Sequence, residues 1–292
     1  MIRSISTSLP PISLRLVLLL AVVAILSVPN AILLGEAFGF MATREYVFDW
    51  WLFGEASARI GTGHMYDWGA PGQFNDIYDY RYSPLFAYLI TPFTWLGIWV
   101  WRALHVAALL LLPRRLALLA ILAWPFWLDV AHANVMTFAA VFGFLALRGS
   151  RWGTVAYVVI ALLVPRPVYV PLLAWIAWKR PEWRVPLLGI VGAYSGLTLA
   201  TGEAFAFVAS LTRGTELMAL EYNWGPSAFF GLGWLVVGVP LGIWLTSIGR
   251  VGVAGIVVSP HVLPYYLLVL LWEFPKRMDS NADGSIPSGS AS

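Results

Sequence analysis

Four polar residues beside apolar stretches are the candidates for chemistry in this chain. Asp49 follows the first hydrophobic stretch, and Arg166 lies between two apolar runs. A carboxylate can take the proton from an attacking hydroxyl, and a guanidinium matches the geometry of a phosphate. His132 and His261 have ring nitrogens that can bind phosphate or sugar hydroxyls. These residue types predict a base and an anion-binding group that act on a phosphorylated substrate.

Further polar residues could line such a site. Arg81 and Tyr82 stand where a polar segment meets the next apolar run, and they fit either a head-group site or an interfacial anchor. His64 and His105 are interpreted as structural, and the histidine spacing matches no metal-binding motif. The secondary acidic candidates are Asp79, Asp129, Glu203, Glu216 and Glu221.

Each main candidate also has a structural interpretation. An aspartate before an apolar helix often caps the helix, which is an alternative for Asp49. Arg166 could extend its head group to the membrane interface, and both histidines could be interfacial. The sequence leaves these alternatives open.

The composition indicates an all-α polytopic membrane protein. Hydrophobic residues make up 60% of the chain and charged residues 11%, with a mean hydropathy of +0.76. Soluble domains carry about 25% charged residues. The chain has no cysteine, which excludes disulfides, thiolate metal sites and cysteine nucleophiles. The net charge of +3 gives no indication of nucleic-acid binding.

The apolar runs predict about ten membrane spans. A polar segment at 35–82 follows the first span and is expected to contain an interfacial helix. Pro92 is expected to split a surface helix from the second span, and the last run is long enough for two short passes that meet at Ser259-Pro260. The runs are 12–34, 84–112, 115–128, 132–147, 152–165, 167–179, 185–201, 228–247 and 251–273.

Charge asymmetry predicts the orientation. With the N-terminus in the cytoplasm, twelve of the 18 basic residues and four of the 15 acidic residues fall inside, in agreement with the positive-inside rule. Asp49, His132, Arg166 and His261 then share the outer face. The first run is read as an uncleaved anchor, in a bacterial plasma membrane. An integral membrane domain is expected at 1–278 and a disordered cytoplasmic tail at 279–292.

The order of several residues after the first span resembles glycosyltransferase family 87, a family of membrane-embedded C-type glycosyltransferases. Members show an aspartate, small residues, a glycine, a tyrosine and a Tyr-x-Pro element before the next hydrophobic region. The matching positions here are Asp49, Ala56, Ala58, Gly61, Tyr66 and Tyr82-Ser83-Pro84.

Later stretches extend the resemblance over residues 14–273. His132-Ala133-Asn134 is similar to a Gln-x-Asn element of the family, with histidine in place of the usual glutamine. Arg166-Pro167 resembles a basic-Pro element. Val258-Ser259-Pro260-His261 resembles a Ser-Pro element, and Tyr265-Tyr266 follows where some members carry paired histidines.

The resemblance implies transfer of a hexose, with mannose favoured, from a polyprenyl-phosphate donor to a lipid or glycan acceptor on the outer face of the lipid bilayer. Asp49 would be the general base, and no cofactor or metal would be required, because cations hold the phosphate. The residues expected to bind the donor are Arg166, His132, His261, Arg81, Tyr82 and Asn134.

Two other functions fit parts of the sequence. A transporter or lipid flippase needs polar residues near the middle of the membrane, whereas the candidates here gather at one surface. The short length and the substituted family positions fit a catalytically inactive membrane subunit.

Overall fold

The part of the chain that the structure describes is mainly α-helical. The computed structural model describes residues 14–43, 48–67, 80–212 and 223–274, and these ranges contain no β-strand. Their α-helices are α1 (Leu14–Thr43), α2 (Phe48–Ala58), α3 (Pro84–Leu96), α4 (Ile98–Ala108), α5 (Arg114–Leu122), α6 (Trp124–His132), α7 (Met136–Leu147), α8 (Arg151–Leu163), α9 (Val170–Lys179), α10 (Arg184–Ala200), α11 (Ala204–Thr212), α12 (Ser227–Phe230), α13 (Trp234–Ser247) and α14 (Val251–Val258). Segments of 3-10 helix are Leu109–Leu111, Pro167–Tyr169, Pro181–Trp183, Gly231–Gly233 and Pro264–Glu273.

Part of this helical content has the length and composition of membrane spans. Among the described residues, one helical segment, Ser227–Ser247, is long and apolar enough to cross a membrane. Three bent helix pairs would each qualify if both helices belong to one span, and their bends are 110°, 72° and 109°. The pairs are Pro84–Leu96 with Ile98–Leu111, Arg114–Leu122 with Trp124–His132, and Pro181–Ala200 with Ala204–Leu211.

The larger core surrounds α7, which packs against α8 and against the 3-10 segment Pro264–Glu273. Small residues on α7 allow the close approach: the Trp272 side chain would lie 2.4 Å from a Cβ added at Gly143. The Trp272 indole also donates a hydrogen bond to the Ala140 carbonyl at 3.0 Å. This packing fixes the position of the turn that leads into α7.

A second, aromatic core holds α2 against α3. Phe53 of α2 is fully buried and meets the rings of Tyr82 and Phe86 edge-on, with centroids 5.2 and 5.0 Å apart. Edge-to-face pairs of this kind add to the stabilisation by burial. The contact fixes α2, which carries Asp49, next to the segment that carries Tyr82.

Two helices expose large apolar side chains along much of their length. On α10, Val185 and Leu188 are exposed, and on α13, Val236 and Ile243 are exposed. Apolar surface of this extent marks contact with lipid or with another protein.

The break in the second predicted span is at Gly97 and not at Pro92. Pro92 lies inside α3, whereas Gly97 separates α3 from α4 with a φ of 91°. Glycine adopts this left-handed region without a steric penalty, so the chain turns there. The prediction from Pro92 was therefore wrong.

Three further boundaries differ from the prediction. Residues 35–43 continue α1 instead of starting the polar segment, and α11 lies between the predicted runs 185–201 and 228–247, where no helix is predicted. His132 does not open a span, because it is the last residue of α6, and α7 begins at Met136. The helix ends there because Ala133 adopts a left-handed conformation with a φ of 55°.

Some predicted features lie outside the described residues. They are the 279–292 tail, the first residues of the predicted anchor, and the secondary acidic candidates Asp79, Glu216 and Glu221.

Candidate functional site

Asn134 is the centre of the site. It lies in the turn between α6 and α7 and is buried. Its Nδ2 donates hydrogen bonds to Asp49 Oδ2 at 2.6 Å and to the Tyr265 hydroxyl at 3.2 Å. Its Oδ1 accepts from the Val135 amide at 2.7 Å and from Arg166 at 3.2 Å. One amide side chain therefore bridges a carboxylate and a guanidinium.

Asp49 lies in the first turn of α2. It is therefore inside the helix and not at the capping position. Its carboxylate accepts a hydrogen bond from Asn134. Burial of the carboxylate raises the pKa of Asp49, while the charges of His132 and Arg166 and the hydrogen bond from Asn134 act in the opposite direction. With a raised pKa, Asp49 loses its proton at a higher pH than an ordinary aspartate does, and it binds a proton more strongly once ionised.

Arg166 directly precedes the 3-10 segment Pro167–Tyr169 and is partly buried. Its guanidinium donates to the hydroxyls of Tyr266 at 2.6 Å and Tyr82 at 3.1 Å, as well as to Asn134 Oδ1. The centre of the guanidinium lies 5.2 and 5.7 Å from the ring centroids of these two tyrosines, within the range of cation–π contact.

The partners that hold the Arg166 guanidinium are neutral. Among the described residues no carboxylate oxygen lies within 4.0 Å of it, so it has no ion pair there. A partly buried cation that is held by hydroxyl and amide oxygens retains its full charge for an anion. Arg166 is therefore the strongest anion-binding group of the site.

His261 lies in the connection 259–263 between α14 and the last 3-10 segment. Its ring meets Tyr266 edge-on, with centroids 6.3 Å apart. Burial, together with the charges of Arg166 and Arg81, lowers the pKa of His261 to about 4. His261 is therefore neutral at physiological pH, and its buried Nε2 has no hydrogen-bond partner among the described residues.

The two predicted histidines neighbour different charged members of the site. His132 belongs to the Asp49 side, where its ring stacks on Phe40 at a centroid distance of 4.9 Å and its Nδ1 lies 2.9 Å from the Leu128 carbonyl. His261 belongs to the Arg166 side, where Arg81 also contributes positive charge. One side of the site is therefore suited to proton transfer and the other to an anion.

The structure brings Asp49, Asn134, Arg166 and Tyr82 into one hydrogen-bonded group. It also adds two members that sequence reasoning did not select, Tyr265 and Tyr266. In the sequence, these two tyrosines are marked by their adjacent position after the Ser259-Pro260 element.

Two of the secondary acidic candidates have structural partners instead. Asp129 is fully buried and accepts hydrogen bonds from the Met136 and Thr137 amides and from the Thr137 hydroxyl, at 3.3, 2.7 and 2.6 Å. Glu203 is also buried and lies 3.4 Å from the Met65 amide. Within the described ranges no group of three or more histidine, cysteine or acidic side chains is arranged to hold a metal ion.

No family model, curated protein or solved structure matches this chain. The interpretation of the site therefore depends on its own geometry and chemistry.

Proposed function

We propose that this protein is a membrane-embedded glycosyltransferase of the C-type fold with about ten spans. It transfers a hexose, mannose by its resemblance to glycosyltransferase family 87, from a polyprenyl-phosphate donor to a lipid or glycan hydroxyl. The reaction takes place at the outer face of the plasma membrane, with the N-terminus of the protein in the cytoplasm.

The observation that carries this proposal is the Arg166 guanidinium with neutral partners, linked through Asn134 to the Asp49 carboxylate. Glycosyl transfer from a phosphate donor requires both groups at once, a cation for the departing phosphate and a base for the attacking hydroxyl. Asn134 separates the two charges, so they do not neutralise each other through a direct ion pair.

Asp49 removes the proton from the acceptor hydroxyl as its oxygen bonds to the anomeric carbon of the donor. The bond between that carbon and the phosphate oxygen breaks, and its electron pair leaves with the polyprenyl phosphate. Arg166 stabilises the charge that develops on the phosphate, and the neutral His261 donates or accepts one hydrogen bond beside it. Arg81 adds positive charge to this side, and His132 influences the ionisation of Asp49.

A lipid-linked donor fits the position of the site. Asn134, Arg166 and His261 all lie in connections between helices, and α10 and α13 carry apolar side chains on their outer surfaces. A site at helix ends can meet a head group at the membrane surface while the polyprenyl chain stays in the lipid. The glycine fingerprint that binds nucleotides is not found in the sequence.

The test is donor turnover by the full chain in detergent or vesicles. Labelled polyprenyl-phosphate mannose is supplied, and its conversion to glycolipid or free sugar is measured for the wild type and for Asp49→Asn. Glu55→Gln is the matched control, because Glu55 is a carboxylate of the same helix that pairs with Arg59 at 3.5 Å. We expect Asp49→Asn to lose at least about a hundredfold in rate and Glu55→Gln to keep the wild-type rate.

Equal turnover by the wild type and Asp49→Asn would remove Asp49 as the base. If the wild type binds the donor but converts none of it with any hydroxylated acceptor, the protein is a donor-binding subunit and not an enzyme.

A further inference from the structure

Three side chains of α4 hold the turn that carries Asn134. The Trp101 indole donates to the Ala133 carbonyl at 2.8 Å, and Arg102 donates to the carbonyls of Val130 and Ala131 at 3.3 and 3.1 Å. His105 Nε2 lies 2.6 Å from the Asn134 carbonyl itself. One helix therefore binds four carbonyl groups within five consecutive residues.

All three side chains are buried, and two of them are basic. The last carbonyls of a helix have no partner within the helix, so the end of α6 needs donors from elsewhere. The left-handed conformation of Ala133 is unfavourable for a residue that carries a Cβ, so the turn depends on surrounding contacts. The donors of α4 supply those contacts.

His105 lies between two backbone carbonyls. Its Nδ1 lies 2.8 Å from the Trp101 carbonyl and its Nε2 faces the Asn134 carbonyl. A carbonyl oxygen accepts a hydrogen bond from a ring nitrogen that carries a proton, so the imidazole can hold the Asn134 backbone. Asp129 Oδ2 lies 3.6 Å from Nε2, and both side chains are fully buried.

The same aspartate fixes the other end of the turn, because its carboxylate accepts the first amides of α7 at Met136 and Thr137. The backbone from Val130 to Thr137 is thus held by α4 on one side and by Asp129 on the other. Asn134 lies in the middle of this held segment.

We propose that Trp101, Arg102 and His105 are positioning residues, which keep the Asn134 side chain hydrogen-bonded to Asp49 and Arg166. The inference rests on the proposed function, in which Asp49 is the base. None of the three needs to touch a substrate, since they act on the Asn134 backbone. A shift of that backbone by a few tenths of an ångström lengthens the 2.6 Å hydrogen bond to Asp49.

The test follows the protonation of Asp49 by infrared spectroscopy in the full chain, with the carboxyl band assigned by its loss in Asp49→Asn. Trp101→Phe removes the indole contact to the Ala133 carbonyl, and His105→Gln removes the imidazole contact to the Asn134 carbonyl. Trp127→Phe is the control, because its indole donates to the Ile121 carbonyl, outside the turn. The charged and titratable groups around Asp49 are His132, Asp129, Arg166, Tyr82 and Tyr265. None of the variants replaces them, and Trp101→Phe also leaves every titratable neighbour of Asp129 in place, whereas His105→Gln removes the ring 3.6 Å from Asp129.

We expect the titration midpoint of Asp49 to rise by about one pH unit in both variants, as in Asn134→Ala, because a hydrogen bond to a carboxylate is lost. Trp127→Phe leaves the midpoint unchanged. A mere loss of stability would lower the folded fraction without moving the midpoint. Thermal unfolding checks each variant, and Arg102→Lys replaces any variant that does not fold.

An unchanged midpoint in the folded variants overturns the inference. This readout does not need turnover, so it separates the two proposals. A shifted midpoint in a protein without transferase activity supports the positioning role and removes the proposed function. Transferase activity with an unshifted midpoint supports the proposed function and removes the positioning role.

Discussion

Asn134 and Asp49 are 85 residues apart in the sequence, and their side chains meet in a hydrogen bond of 2.6 Å. The amide nitrogen of Asn134 faces the carboxylate because its oxygen is occupied by the Val135 amide and by Arg166. Asn134 thus stabilises the ionised form of Asp49 and at the same time keeps it apart from the cation.

Replacement of Asn134 by aspartate tests this bridge. Asn134→Asp removes the donor and places a second carboxylate beside Asp49, and like charges at this distance keep one of the pair protonated at neutral pH. We expect a loss of at least about a hundredfold in donor turnover, larger than in Asn134→Ala. Asn30→Asp is the control, since Asn30 bonds the Leu122 carbonyl and the Trp124 amide away from the site. If Asn134→Asp is as active as Asn134→Ala, the like-charge argument is wrong.

Replacement of Arg166 tests the anion site. Arg166→Lys keeps the charge but cannot reach Tyr82, Tyr266 and Asn134 together. Hydrogen bonds to charged groups contribute roughly 1.5–3 kcal/mol, so we expect donor binding about tenfold to a hundredfold weaker and a greater loss in Arg166→Gln. Equilibrium binding of the labelled donor measures this directly. Arg184→Gln should bind the donor normally, because Arg184 contacts the carbonyls of Ala177 and Trp178.

The sequence predicts much of this site but not its connections. Hydropathy indicates the all-helical class, because long apolar runs without charge leave few alternatives. Asp49 and Arg166 stand out as charged residues beside apolar stretches. Asn134 links these two side chains although it lies 85 positions from Asp49, and Tyr266 lies 100 positions from its partner Arg166. Only the packing of α2, α6 and the last 3-10 segment brings these residues together.

Helix boundaries were harder to predict because the backbone conformation of single residues sets them. Proline punctuates sequences strongly, yet Pro92 is accommodated inside α3 and Gly97 makes the bend. Likewise, His132 precedes an apolar run and suggests the start of a span, whereas the left-handed Ala133 ends α6 after it. Alanine rarely adopts this conformation, so no pattern in the sequence marks it.

The pH dependence of the wild type follows from Asp49. Because burial raises the pKa of Asp49, the base is protonated and inactive at low pH. The rate of turnover therefore rises with pH, and the midpoint of this rising limb lies above 3.8, the pKa of an ordinary aspartate. His261, with its pKa lowered to about 4, adds no limb near 6.5. Donor turnover measured from pH 4 to 9 should therefore rise over the same pH range in His261→Gln as in the wild type, with a lower maximal rate. A limb that disappears in this variant would assign it to His261.

The position of Arg166 depends on a close backbone contact. A Cβ added at Gly255 of α14 would lie 2.5 Å from the Val168 carbonyl oxygen, in the 3-10 segment that follows Arg166. Gly255→Ala must therefore displace that segment, at a cost of about 1–3 kcal/mol, and Arg166 moves with it. We expect a lower unfolding temperature together with weaker donor binding. Gly192→Ala is the matched control, because Gly192 lies in α10 with no atom within 4 Å of an added Cβ, and alanine favours a helix over glycine. A Gly255→Ala protein that is less stable but binds donor as the wild type does would show that Arg166 is positioned by its tyrosine contacts alone.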